Sequence, residues 1–205
     1  GESLWRSADA WDRAGDESSA IAAFRSYADG FPDSPRRAQA VFRVAQANQS
    51  RGEYELAATL YQDLVEARED RDGGKGVGRW ADASYVPLAQ TLLLDDNAEN
   101  DGQAEDLLTR VVNGVIGTPE AVNYPVALLQ LANLYYADGR YPQAIERLEE
   151  AVDRFPDAEQ IDSIKYRLAD AHRMEARSII DTLDGALPDG ERRALEQARS
   201  DRLAR

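Results

Sequence analysis

The sequence predicts an all-α fold made of stacked helix pairs, and three observations carry that prediction. Gly, Ala, aromatic and Pro residues recur at fixed offsets along the chain. Hydrophobic residues make up 43% of the 205 residues, enough to bury a core and to make global disorder a poor description. Apolar runs stay short: Val86 to Ala89 and Leu92 to Leu94 fall far below the ~20 residues of a bilayer-spanning helix.

The recurrence is read from Gly15, Gly52 and Gly139. Seven residues earlier stand Ala8, Ala45 and Ala132; five residues later stand Ala20, Ala57 and Ala144. Nine residues later come Phe24, Tyr61 and Leu148, and seventeen later come Pro32 and Pro156, with Glu69 in the middle copy. The physical unit is a helical hairpin. Gly ends the first helix because a left-handed terminal residue costs it little. Small Ala residues let the two helices approach, the large residue fills between them, and Pro stops the second helix.

The elements follow in order. Helices are expected at about 2–14 and 17–29, joined at Gly15 and stopped before Pro32. Ser34-Pro35 is a helix start, with Ser as N-cap and Pro in the first turn, which opens 35–50; Gly52 separates it from 53–67. The Gly-rich stretch Asp70 to Gly78 breaks the spacing and is expected to be a mobile linker. A degenerate copy uses Ala89, Leu92, Ala104, Leu108 and Val111, with helices at 80–94 and 103–113 parted by the acidic loop Asp95 to Asp101. An irregular connection over Asn113 to Asn123 carries Thr118-Pro119-Glu120, a candidate extra turn. Helices at 124–138 and 142–154 follow, with Pro142 in the first turn. A half copy with Tyr166, Leu168, Ala169 and His172 begins a long helix at 159–183, and a last helix covers 190–204.

The segments Ala8-Asp9-Ala10-Trp11-Asp12-Arg13-Ala14-Gly15 and Leu131-Ala132-Asn133-Leu134-Tyr135-Tyr136-Ala137-Asp138-Gly139-Arg140-Tyr141, with their continuations to Pro32 and Pro156, resemble tetratricopeptide repeats. The resemblance implies a right-handed α-α superhelix of about four helix pairs with C-terminal capping helices. It also implies one repeat domain over 1–205, with copies at about 1–34, 38–71, 80–113 and 125–158 and a partial copy and cap at 159–205. Phe31-Pro32-Asp33-Ser34-Pro35 is similar to repeats of bacterial envelope proteins such as the Tol–Pal coordinator and outer-membrane assembly lipoproteins, which leans the expected location toward the periplasm. The leading Gly1 and the charged ending at 191–205 lead us to expect a piece of a longer protein.

Composition narrows the function. With 38 acidic and 24 basic residues, the net charge of −14 repels phosphate backbones and anionic membranes, so nucleic acid is not the expected partner. The absence of Cys excludes disulfides, thiolate catalysis and Cys-bound metals. Gly73-Gly74-Lys75-Gly76-Val77-Gly78 lacks both the order and the preceding strand of a phosphate-binding loop. Asp95-Asp96-Asn97-Ala98-Glu99-Asn100-Asp101-Gly102 does not have the ligand spacing of a calcium loop. His172 is the only histidine and occupies a packing slot. No catalytic, metal or cofactor residue is expected.

A protein or peptide partner is expected instead, bound as an extended segment in the concave groove that the resemblance implies. Three residues before the Ala anchors lie Trp5, Phe42, Val86, Leu129 and Tyr166; one after them lie Asp9, Gln46, Gln90, Asn133 and Asp170. The two slots are four residues apart and share a helix face. With Tyr136 they form the candidate groove: apolar anchors beside an amide ladder of Gln46, Gln90 and Asn133. The same residues admit a plainer reading, in which Trp5 and Tyr166 pack against neighbouring helices and the Gln residues are solvated. Members of the resembled family that hold terminal carboxylates use basic groove residues, which are missing here at Trp5, Asp9, Phe42 and Gln46. Two rivals stay open: a self-assembling structural component of an envelope complex, and an accessory domain of a larger protein.

Overall fold

The computed structural model describes residues 1–69, 77–94, 97–117, 122–183 and 189–204. Among them every regular element is helical: α1 Glu2–Ala14, α2 Glu17–Gly30, α3 Arg37–Ser50, α4 Tyr54–Glu69, α5 Val77–Leu94, α6 Asp101–Val112, α7 Tyr124–Ala137, α8 Tyr141–Arg154, α9 Ile161–Leu183 and α10 Asp189–Leu203, with a 3-10 turn at Ala98–Asn100. This is the all-α helical-repeat fold that the sequence predicts. The chain groups into two compact units, Gly1–Asn123 and Tyr124–Arg205. In the first, each helix from α1 to α6 packs on the next and α3 also meets α5; in the second, α7 to α10 pack in sequence.

The hairpin turns are built alike. Gly15, Gly52 and Gly139 take φ of +76°, +76° and +72°, the left-handed region. In each, the next residue's N–H reaches five residues back: Asp16 to the Trp11 carbonyl (3.0 Å), Glu53 to Asn48 (2.9 Å) and Arg140 to Tyr135 (2.8 Å). That bond satisfies a carbonyl left open at the helix end. In the first turn, the Asp16 carboxylate accepts from Ser19 N–H at 3.1 Å and caps α2. Hydrogen bonding from the Ser19 side chain, and then from its N–H, holds the Asp16 carboxyl below its ordinary pKa.

The Pro-containing stops also match each other. Phe31 N–H closes α2 on the Tyr27 carbonyl, then Ser34 reaches Phe31 and Arg37 reaches Ser34. Phe155, Ala158 and Ile161 repeat the same relay from Ala151. Here the structure shortens the expected helix at 35–50. Ser34 spends its oxygen on the Tyr27 hydroxyl (2.7 Å) and on Arg36 N–H (3.2 Å), so regular helix begins only at Arg37.

The Ala anchors Ala8, Ala45, Ala57, Ala89, Ala104, Ala132 and Ala144 are fully buried, and so are Tyr61, Leu108 and Leu148 beside them. The degenerate copy therefore packs like its neighbours. Burial pushes the Tyr61 phenol far above its usual pKa. Pro87 sits inside α5 without ending it. Thr91 donates its hydroxyl to the Pro87 carbonyl at 2.7 Å. Val77 and Gly78 belong to α5, so the expected linker is shorter at its C-terminal end. Its remainder at 70–76, the acidic pair Asp95-Asp96 and the candidate turn Thr118-Pro119-Glu120 lie outside the described residues.

Within each unit, polar contacts tie one hairpin to the next at nearly the repeat period. In the first unit Arg36 reaches Glu2 (3.0 Å), Arg43 pairs with Asp12, Ser50 reaches Glu17 (2.9 Å) and Arg51 reaches Ser18 (3.0 Å). In the second, Arg167 donates to Asn133 at 2.8 Å and Tyr136 to Asp170. Most are exposed, so each adds little stability, of order 0.2–1 kcal/mol, while fixing register.

Candidate functional site

The first candidate row turns inward. Trp5 meets the rings of Phe24 and Tyr27 on α2 at 5.4 and 5.1 Å and lies under the Arg36 guanidinium at 5.1 Å. Phe42 and Val86 are buried, Phe42 against Tyr61 and Trp80 at 5.7 and 5.2 Å. Leu129 is half-buried. The reason is helical geometry: a residue three before a buried Ala shares its face, and that face meets the second helix of the hairpin. Phe42 and Val86 are core residues here and present no surface to a partner.

The second row stays at or near the surface, with Asp9, Gln46, Asn133 and Asp170 engaged by close neighbours. Asp9 pairs with Arg13 at 2.6 Å, and Gln46 accepts from Arg43 at 3.3 Å. Gln90 and Asn133 are half-buried, and Asn133 accepts from Arg167. In the first unit, Gln46 borders a hollow of about 250 Å³ with Asp12, Ile21, Phe24, Arg43 and Ser50.

Only Tyr166 of the first row stands open, at 77% exposure. Its neighbour Ala169 is exposed as well, unlike the buried Ala8, Ala45, Ala89 and Ala132. The cause lies seven residues on, where the other hairpins place Gly15, Gly52 and Gly139 and this copy places Ala176. Without a glycine to turn left-handed, α9 continues to Leu183. Its hairpin partner α10 then returns along the C-terminal part, where Arg202 contacts the buried Glu175 at 2.5 Å. His172 is buried there too, 3.8 Å from Glu149, as a packing residue. The N-terminal half of α9 therefore lacks the cover that the first helix receives in other hairpins.

That uncovered half borders a hollow of about 520 Å³ lined by Tyr136, Asp162, Ser163, Tyr166, Arg167 and Asp170. Three candidate residues meet there. The Tyr136 hydroxyl donates to the Asp170 carboxylate, which also accepts from Arg173 Nε at 2.9 Å. The bond from Tyr136, then that from Arg173, holds the Asp170 carboxyl below its usual pKa. The same bond, with burial and the Asp170 charge, raises the Tyr136 phenol. Arg167 donates to Asn133 and lies over the Tyr136 ring at 5.7 Å. The sequence reading missed Arg167, Asp162 and Ser163. A signal for Arg167 existed: it follows Tyr136 by 31 residues, as Arg36 follows Trp5 and Arg43 follows Asp12. The arrangement can bind and orient polar and aromatic groups. Among the described residues, no cluster of three or more His, Cys, Asp or Glu is placed to hold a metal ion, and no helix is long and apolar enough to cross a membrane.

Comparison with known proteins agrees with this architecture. Tetratricopeptide repeat family models match residues 6–72 and 125–171, together more than half of the chain. Two crystal structures of the nearly identical TPR-like repeats of a Podosopora anserina protein named as a kinesin light chain are similar. Both are 19% identical, with TM-scores of 0.63 and 0.61; they cover 97% and 99% of this chain and 92% and 94% of theirs. The crystal structure of MamA, 17% identical, matches with a TM-score of 0.53 over 96% of this chain and 92% of that one. At such identities the likeness is one of fold. No curated protein matches the chain.

Proposed function

The chain belongs to the tetratricopeptide repeat family, whose repeats are generally protein–protein interaction modules, and from that premise we propose that it is a non-enzymatic scaffold that seats a segment of a partner protein on the uncovered half of α9. One observation carries the reading: Tyr166 and Ala169 occupy slots that pack against a second helix elsewhere in the repeats, yet here they face solvent beside a hollow of about 520 Å³. An exposed aromatic on a rigid helix supplies contact area at low entropic cost. The fixed Tyr136–Asp170–Arg173 and Arg167–Asn133 contacts hold the rim in place before anything binds. The similarity of Phe31-Pro32-Asp33-Ser34-Pro35 to envelope repeats supports a bacterial envelope setting, which cell fractionation would test.

Site-specific photocrosslinking tests the scaffold reading. A benzoylphenylalanine at position 166, in cells that make the protein, is expected to give a discrete crosslinked protein. The same group at Leu203, also exposed at 57%, serves as the control. Equal products from both positions would overturn the reading.

A further inference from the structure

We propose that the hollow beside Tyr166 receives the arginine side chain of a partner protein, its guanidinium on the Tyr166 ring and facing the Asp162 carboxylate. This rests on the scaffold reading and names the chemistry of the group bound.

The chain itself supplies the precedent. Guanidinium groups lie over aromatic rings again and again: Arg36 on Trp5, Arg154 on Tyr124, Arg140 on Tyr135 and Arg167 on Tyr136, between 4.4 and 5.7 Å. Trp5 and Tyr136 receive their arginine from 31 residues further along. At that distance from Tyr166 stands Gln197, on α10. No guanidinium or ring of another described residue covers Tyr166, which leaves its electron-rich face open to a cation.

The surrounding charges favour the same occupant. Asp162 and Asp170 lie one turn before and one turn after Tyr166 on the same face. Asp162 forms no ion pair with another described residue. Of the cations nearby, Arg173 is engaged by Asp170 at 2.9 Å and Arg167 by Asn133 at 2.8 Å and the Tyr136 ring, while Lys165, exposed beside Tyr166, is not among the residues that line the hollow. At longer range, the net charge of −14 attracts a cation and repels a carboxylate. Arginine suits the seat better than lysine because its flat guanidinium can stack on the ring and bind a carboxylate edge-on.

The test is a titration of the 15N-labelled full chain with acetyl-Gly-Arg-Gly-amide, with the Lys, Gln and Glu tripeptides as comparisons, at two salt concentrations. The expected result is saturable shifts in the amides of 162–170 with the Arg peptide strongest. Tyr166→Phe should keep the affinity. Tyr166→Ala should weaken it about two- to fivefold, the factor that an exposed cation–π contact of ~0.5–1 kcal/mol represents. Asp162→Asn should weaken it as well. Both variants change exposed side chains, and circular dichroism checks their folding. A preference for the Glu peptide at these amides, shifts indifferent to Tyr166→Ala, or occupation of the seat by a second copy on concentration would each overturn the proposal. A discrete crosslink from position 166 alongside any such result would sink the arginine chemistry and leave the scaffold reading intact.

Discussion

Replacing Gly52 by Ala isolates the cost of the hairpin turn. Nothing lies within 4 Å of a Cβ built at Gly52, so the substitution creates no clash and its whole effect is conformational. Gly52 sits at φ +76°, where an L side chain crowds the adjoining carbonyl at a cost of about 1–2 kcal/mol. Gly30, the last residue of α2, lies in the same unit, also with open space around its Cβ and without a positive φ. There Ala should stabilise, by up to about 0.5–1 kcal/mol, because it restricts the unfolded chain. The two substitutions therefore carry opposite signs for the same added methyl group. With a denaturant slope of about 2 kcal/mol per molar urea, Gly52→Ala should lower the unfolding midpoint by about 0.5–1 M and Gly30→Ala should raise it slightly. Circular dichroism at 222 nm reads both, and an unchanged slope is needed to interpret them. A neutral or stabilising Gly52→Ala would refute the claim that the recurring glycines are there for their left-handed conformation.

Three further outcomes follow from the packing and the electrostatics. Phe42→Ala should cost about 3–5 kcal/mol, because it empties a buried ring site between Tyr61 and Trp80; a variant that keeps its urea midpoint would restore Phe42 as a surface residue. Ala132→Leu should destabilise by about 1–3 kcal/mol through overpacking, whereas Ala169→Leu should leave thermal unfolding nearly unchanged; equal losses would refute the displaced turn of α9. The Asp170 carboxyl has a folded pKa below its unfolded value near 3.8, so its contribution is complete above that pH and is lost as pH falls through the folded value. The raised Tyr136 phenol behaves in the opposite sense: its contribution is complete below about 10 and is lost as pH rises through the folded value. Tyr136→Phe should diminish both dependences when the urea midpoint is followed against pH, and unchanged profiles would remove the bond from this account.

Much of the fold was legible because it is written in local chemistry. A glycine seven residues after an alanine, and a proline seventeen after that glycine, each act within one or two turns. Accordingly, the hairpins at Gly15, Gly52 and Gly139 fall where the spacing puts them. The site was less legible because it depends on which helix covers which face. Trp5, Phe42 and Val86 resemble groove anchors by slot, yet their three-residue spacing from a buried Ala already commits them to the hairpin interior. The exposure of Tyr166 had a sequence signal, Ala176 in place of a glycine, but its meaning depends on α10 packing against the later part of α9. Arg167 escaped notice because its role comes from reaching back to Asn133 and Tyr136, and no motif within its own helix announces it.

The contacts between hairpins have a consequence for how the protein is made. The side-chain hydrogen bonds described between hairpins, Glu2–Arg36, Asn133–Arg167 and Tyr136–Asp170 among them, join residues no more than 34 positions apart. A chain leaving the ribosome can close each of these ties a few seconds after its first partner emerges, at synthesis rates of about 5–20 residues per second. Early hairpins thus acquire native neighbours while later ones are still untranslated, and little apolar surface has to wait for the C-terminus.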